Sequence, residues 1–98
     1  MAAYMVARIN VTDPVQYEQY KILAPVAIKE YGGEYLTRGG AMETLEGQKE
    51  TLRVVLLKFP NMDKARGFYN SPEYKKARDA RAEAAEGQFI LLDGYSPE

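Results

Sequence analysis

The chain has 98 residues, 46% hydrophobic and 28% charged, the make-up of one small globular domain rather than a disordered tail or a fibre. A balance of 13 basic against 14 acidic residues leaves a net charge of −1, which argues against a partner whose phosphates must be neutralised. Because cysteine and histidine are both absent, disulfides, thiolate nucleophiles, histidine-held zinc or haem and a Ser-His-Asp triad are excluded.

Tyr4 to Val11 alternates cleanly, with Met5, Ala7, Ile9 and Val11 on one face and Tyr4, Val6, Arg8 and Asn10 on the other, so it reads as a strand between two environments. Asp13-Pro14-Val15-Gln16 then opens a helix. Asp13 caps, Pro14 suits the first helical position and Gln16 completes a loose capping box. The helix is predicted to run to Tyr31 and to stop at Gly32-Gly33. Tyr17, Tyr20, Ala24, Ala27 and Tyr31 make one apolar stripe along it, and Val15, Ile22 and Val26 make a second on nearly the opposite side. Pro25 removes a backbone donor in mid-helix and predicts a kink there.

Glu34 to Arg38 is the second predicted strand, interrupted by a bulge at Gly39-Gly40 and resumed from Met42 to Leu45. Glu46-Gly47-Gln48-Lys49 supplies a turn, and Thr51 to Phe59 is apolar on both faces, as a central strand is. Asn61 caps a helical stretch with Ala65, Phe68 and Tyr69 inward. Ser71-Pro72-Glu73 restarts the helix, which is predicted to continue to about Glu86 and end at Gly87. Phe89 to Asp93 is the last strand. There is no linker or internal repeat, so residues 1–98 read as a single domain.

The order strand, helix, strand, strand, helix, strand is the split βαβ, ferredoxin-like α+β pattern, a four-stranded antiparallel sheet with its helices on one face. The other face, with Tyr4, Val6, Arg8 and one apolar row of the central strand, is left bare, which predicts a homodimer formed through the sheets. A chain this short buries only about 60–65% of its unfolded surface and gains from such pairing. No apolar run approaches the roughly 20 residues of a membrane helix, and no basic segment followed by an apolar stretch stands at the N-terminus. The expectation is a cytoplasmic protein with no membrane partner.

Several segments together resemble a known family: the Tyr4-Met5-Val6-Ala7-Arg8 strand, Asp13-Pro14, Tyr31-Gly32-Gly33, Arg38-Gly39-Gly40, Glu46-Gly47, Phe59-Pro60 and Ser71-Pro72-Glu73-Tyr74. It is a small, mostly bacterial family of unknown function in the dimeric α+β barrel superfamily, and the resemblance covers about residues 3 to 95. It implies a homodimer whose sheets form a barrel, each subunit having a cleft between sheet and helices. The wider superfamily includes cofactor-free monooxygenases, small-molecule isomerases, haem-degrading enzymes and ligand-sensing domains. Relatives that hold iron through histidine find no equivalent residue here.

Arg81 is the first candidate for a site. It lies at the centre of the face that Tyr74, Ala77, Ala84 and Ala85 define, where a buried guanidinium needs a carboxylate, a carbonyl, a ligand anion or a route to solvent. Arg38 precedes two glycines that would let a ligand approach the backbone, and its fork suits a carboxylate or phosphate; an exposed arginine beside a bulge is the plainer alternative. Tyr4, Arg8 and Tyr35 lie on strands and are candidates to line a cavity. Tyr74 stands near Arg78 or Arg81 on the last helix, whereas Tyr17, Tyr20 and Tyr31 read first as core. Ser71 reads as a cap with no base to activate it. Glu43, Glu46 and Asp93 are carboxylates that no spacing singles out. No metal loop, dinucleotide fingerprint or phosphate loop is present, so neither a metal nor a cofactor is called for.

The leading reading is a homodimeric protein binding a small polar or anionic compound, aromatic ones included, with cofactor-independent isomerisation or oxidation as the enzymatic form. A non-catalytic binding or sensing module using the same cleft is the alternative. RNA recognition is rejected because Arg53-Val54-Val55-Leu56-Leu57 displays no aromatic ring.

Overall fold

The computed structural model describes residues 1–97. Its elements are β1 (Ala3–Val11), α1 (Pro14–Glu30), β2 (Glu34–Arg38), β3 (Arg53–Phe59), α2 (Met62–Tyr69), α3 (Pro72–Arg81) and β4 (Ala85–Asp93). The strands form one antiparallel four-stranded sheet in the order β2-β3-β1-β4, the ferredoxin-like α+β architecture predicted above.

The alternation in β1 settles which face is covered. Ala3, Met5, Ala7 and Ile9 are buried, as are Val55, Leu57 and Phe59 of β3, and these rows meet Tyr17, Tyr20, Ala24 and Ala27 of α1 with Phe68, Tyr74 and Ala77 of α2 and α3. Phe59, Phe68 and Tyr74 are the largest fully buried side chains, each worth about 1.5–3 kcal/mol of transfer free energy. On the other face, pairing aligns Ile90, Val6 and Leu56 in one row and Leu92 and Tyr4 in the next. Ile90 and Leu92 remain 41% and 47% exposed, so this face is apolar and uncovered in the single chain.

The three predicted N-cap residues are in place, but Gln16 closes no capping box: its Nε2 donates to the Ala80 carbonyl at 3.1 Å, and the Asp13 amide donates to the Ala84 carbonyl instead. Asp13 accepts from the Gln16 amide at 3.2 Å and Asn61 from that of Lys64 at 2.8 Å. Ser71 Oγ accepts from the Tyr74 amide at 3.0 Å and donates to the Phe68 carbonyl at 2.7 Å, fastening the break between α2 and α3. The Val15, Ile22 and Val26 stripe of α1 faces solvent.

Three boundaries differ from the sequence reading. Residues 42–45 form no strand: Gly39 and Gly40 end β2, and residues 39–52 are a loop closed by Glu50, whose amide donates to Thr44 Oγ1 at 3.0 Å. The irregularity in β2 falls between Tyr35 and Thr37 instead of at the glycines. The last helix ends at Arg81, not Glu86, and β4 begins at Ala85, not Phe89. The alanines at 82, 84 and 85 suit helix or turn alike, and pairing decides between them. Ala85, Glu86 and Gly87 align with Val11, Asn10 and Ile9, while the Ala84 carbonyl takes the amides of Thr12 and Asp13.

Candidate functional site

Between the covered face of the sheet and α1 lies a narrow cleft. Tyr17 and Tyr20 reach it from α1, Tyr35 and Arg38 from β2, Arg53 from the start of β3 and Phe89 from β4, over a floor of Ala7, Ile9, Val55 and Leu57. The Tyr17 and Tyr20 rings stack with centroids 5.2 Å apart. The void within it, open at one side, is about 20 Å³, room for one water-sized atom.

Arg38 spans the mouth. Its guanidinium lies 4.5 Å from the Tyr35 ring centre, and Nη2 donates to the Lys21 carbonyl at 2.9 Å. Arg53 runs beneath the backbone at Gly39 (φ 69°), where a Cβ would collide with its Nη1. Its guanidinium carbon is 6.0 Å from the Tyr17 ring centre, and its Nε is buried without a partner.

Behind Tyr20 stands Arg81. It lies 5.3 Å from the Tyr20 ring and 4.9 Å from the Phe89 ring, and its Nη2 reaches the Tyr74 hydroxyl at 3.5 Å. The hydroxyls of Tyr74 and Tyr20 meet at 2.8 Å, and the Nε of Arg81 is buried without a partner. Arg81 also borders an open outer pocket of about 620 Å³ with Tyr69, Lys75, Arg78 and Phe89. There the Arg78 guanidinium covers the Tyr69 ring at 4.7 Å. Phe89 lines both the pocket and the cleft.

Burial dominates the ionisation of these groups. It raises the phenol pKa values of Tyr17, Tyr20 and Tyr35, with Arg53 lowering that of Tyr17 and Arg38 that of Tyr35 only in part. Burial opposes the Arg81 charge, and the phenol oxygens of Tyr74 and Tyr20 outweigh it, so its pKa stands above the ordinary value. The tyrosines are therefore hydrogen-bond donors at neutral pH, and the arginines are cations. Among the described residues no carboxylate pairs with Arg38, Arg53 or Arg81; the ion pairs are Arg8–Glu50, Lys21–Glu18, Arg66–Asp63 and Lys75–Asp79. Nor, among the described residues, does any cluster of three or more metal-ligating side chains form.

Of the candidates read from the sequence, Arg38 and Tyr35 line the cleft, and Arg81 and Tyr74 adjoin it behind Tyr20. Tyr4 and Arg8 stand on the opposite face of the sheet, where Arg8 holds Glu50 by hydrogen bonds of 2.7, 2.9 and 3.0 Å. Glu43, Glu46 and Asp93 are exposed and make no ion pair with the cleft arginines. The close approach that Gly39 permits is taken by the Arg53 side chain. Arg53 itself was legible, since it shares the parity of Val55, Leu57 and Phe59, but the apolar run drew attention away from the charge that begins it. Tyr17 and Tyr20, read as core, both pack in the core and line the cleft.

The fold recurs in solved structures of low sequence identity. A protein of unknown function from Rhodopseudomonas palustris, RPA0582, superposes with a TM-score of 0.75 at 20% identity, covering 98% of this chain and 84% of that one. SnoaB, a cofactor-independent oxygenase from Streptomyces nogalater, gives 0.68 at 14% identity over 98% and 95% of the two chains. A dimeric protein of unknown function and ferredoxin-like fold from Bacteroides fragilis gives 0.54 at 18% identity over 95% and 96%. No curated protein matches the chain. At the level of sequence, residues 2–95 match one family model, and the chain belongs to that family, the domain of unknown function DUF1330.

Proposed function

We propose that the protein is a homodimer that binds a compact, anionic, aromatic compound in the cleft between sheet and helices, with Arg38, Arg81, Tyr35 and Tyr74 among the residues that hold it. The observation that carries this reading is electrostatic. In a chain of net charge −1, guanidinium groups gather around one tyrosine-lined cleft, and no carboxylate among the described residues neutralises them. The Nε atoms of Arg53 and Arg81 are buried without a partner, which is costly, and a ligand anion beside these half-buried cations would offset that cost.

The raised phenol pKa values argue against a tyrosine base near neutral pH. A cofactor-independent isomerisation or oxidation in this cleft would therefore act on a compound that ionises readily, the arginines holding the oxyanion that results. SnoaB, similar in fold, is described as a cofactor-independent oxygenase. Binding without turnover is the second reading, favoured by the same lack of a poised base. Dimerisation would cover the apolar rows Ile90–Val6–Leu56 and Leu92–Tyr4 and would place Tyr4 and Arg8 at the joint between subunits.

The test is a thermal-shift screen of small aromatic acids on wild type and Arg81→Ala, followed by an assay of each hit for consumption with and without oxygen. Stabilisation that Arg81→Ala abolishes supports the reading, and loss of the compound makes it enzymatic. Stabilisation that Arg81→Ala leaves intact removes Arg81 from the site. Sedimentation as a single copy at micromolar concentration overturns the dimer.

A further inference from the structure

The guanidinium groups at the cleft are unequally engaged. Arg38 spends its fork on the Lys21 carbonyl and the Tyr35 ring. Arg81 lies between two rings and reaches the Tyr74 hydroxyl. Arg53, by contrast, makes no ion pair among the described residues, and its Nε is sealed from solvent without a partner, although the guanidinium stands close enough to the Tyr17 phenol to offset part of the rise in its pKa. A buried guanidinium nitrogen left unpaired costs at least about 1–3 kcal/mol. The backbone nonetheless makes room for it: Gly39 takes a φ of 69°, which other residues rarely adopt, and a Cβ there would push the Arg53 guanidinium aside. Beside this cation and the phenols of Tyr17 and Tyr35 is the void of about 20 Å³, the size of one oxygen atom and too small for a ring.

We infer that Arg53, together with the Tyr17 hydroxyl, seats one carboxylate oxygen of the ligand, while its ring stays at the mouth against Tyr35 and Arg38. This inference rests on the small-molecule reading of the cleft and adds what selects the ligand: negative charge on an oxygen at the inner end. A neutral amide of the same shape can offer one oxygen to both donors but no negative charge to the guanidinium, and is discriminated against.

Benzoate and benzamide are the probes, titrated into the wild-type protein and Arg53→Gln with binding followed by NMR. In the wild type, benzoate is expected to bind at least about 10-fold tighter than benzamide and to shift the Arg53 Nε–H resonance more than that of Arg38. In Arg53→Gln the preference should vanish while benzamide binding persists. If Arg53→Gln does not fold, the wild-type preference and the Arg53 Nε–H shift decide alone. Equal binding of the two probes, an unmoved Arg53 resonance, or a preference that survives in Arg53→Gln overturns the assignment and leaves the cleft as a binding site. Should neither probe perturb any cleft residue, the assignment falls together with the reading beneath it.

Discussion

Arg38 fills the gap that Pro25 opens in α1. The Lys21 carbonyl would ordinarily accept the amide of residue 25, but proline has none, and Arg38 Nη2 donates to that carbonyl at 2.9 Å instead. A defect inside one helix thus fixes a side chain from a strand remote in sequence. Pro25→Ala restores the helical donor and is expected to raise stability by about 1 kcal/mol in urea melts. It should also free Arg38, seen as faster exchange of its guanidinium protons. Unchanged exchange would show that the carbonyl does not anchor Arg38.

Gly39 and Gly40 are adjacent and physically unlike. At Gly39 a Cβ would meet Arg53 at a positive φ, whereas at Gly40 it would point into open space. Gly39→Ala is expected to cost about 1–2 kcal/mol and Gly40→Ala less than about 0.5 kcal/mol. Equal costs in denaturant unfolding would refute the account of Arg53 packing.

The loop of residues 39–52 is tied to the sheet through one carboxylate. Glu50 accepts from the Leu52 amide at 3.0 Å and from Arg8, and these contacts hold its pKa below the ordinary glutamate value of 4.5. A depressed carboxylate stabilises the fold above its unfolded pKa and loses that contribution as pH falls through the folded one. The Leu52 amide should therefore stay protected from hydrogen exchange at pH 4.5 and above, and open as the pH falls through the depressed Glu50 pKa beneath that value. Glu50→Gln should show no such transition.

Alkaline pH acts in the opposite sense on Tyr17, Tyr20 and Tyr35. Burial keeps these phenols neutral in the folded chain, while the unfolded chain ionises them near pH 10.0. Their contribution is thus complete below pH 10.0 and declines as pH rises above it. Phenolate absorbance from these residues should appear together with loss of circular dichroism. Ionisation of all the tyrosines ahead of unfolding would contradict the burial argument.

How far the sequence could be read follows from how local each signal is. Alternation in β1, the capping residues Asp13, Asn61 and Ser71, and the Gly32-Gly33 stop are carried by a few neighbouring residues, and they hold in the structure. The end of α3 is not such a signal. Ala82 to Ala85 take either conformation, and the decision rests with β1, more than 70 residues earlier, whose last residues need hydrogen-bond partners. The site divides along the same line. Arg81 and Tyr74 are visible as a charge and a phenol on one helical face, but the neighbourhood of Arg53, Gly39 and Tyr17 exists only after three separate segments meet.

Phe89 is the one residue that borders both the roomy basin beside Arg78 and the tight chamber of the tyrosines. Trimming that one ring, on a strand at the edge of the sheet, would open one space into the other without disturbing the strand pairing that carries the scaffold.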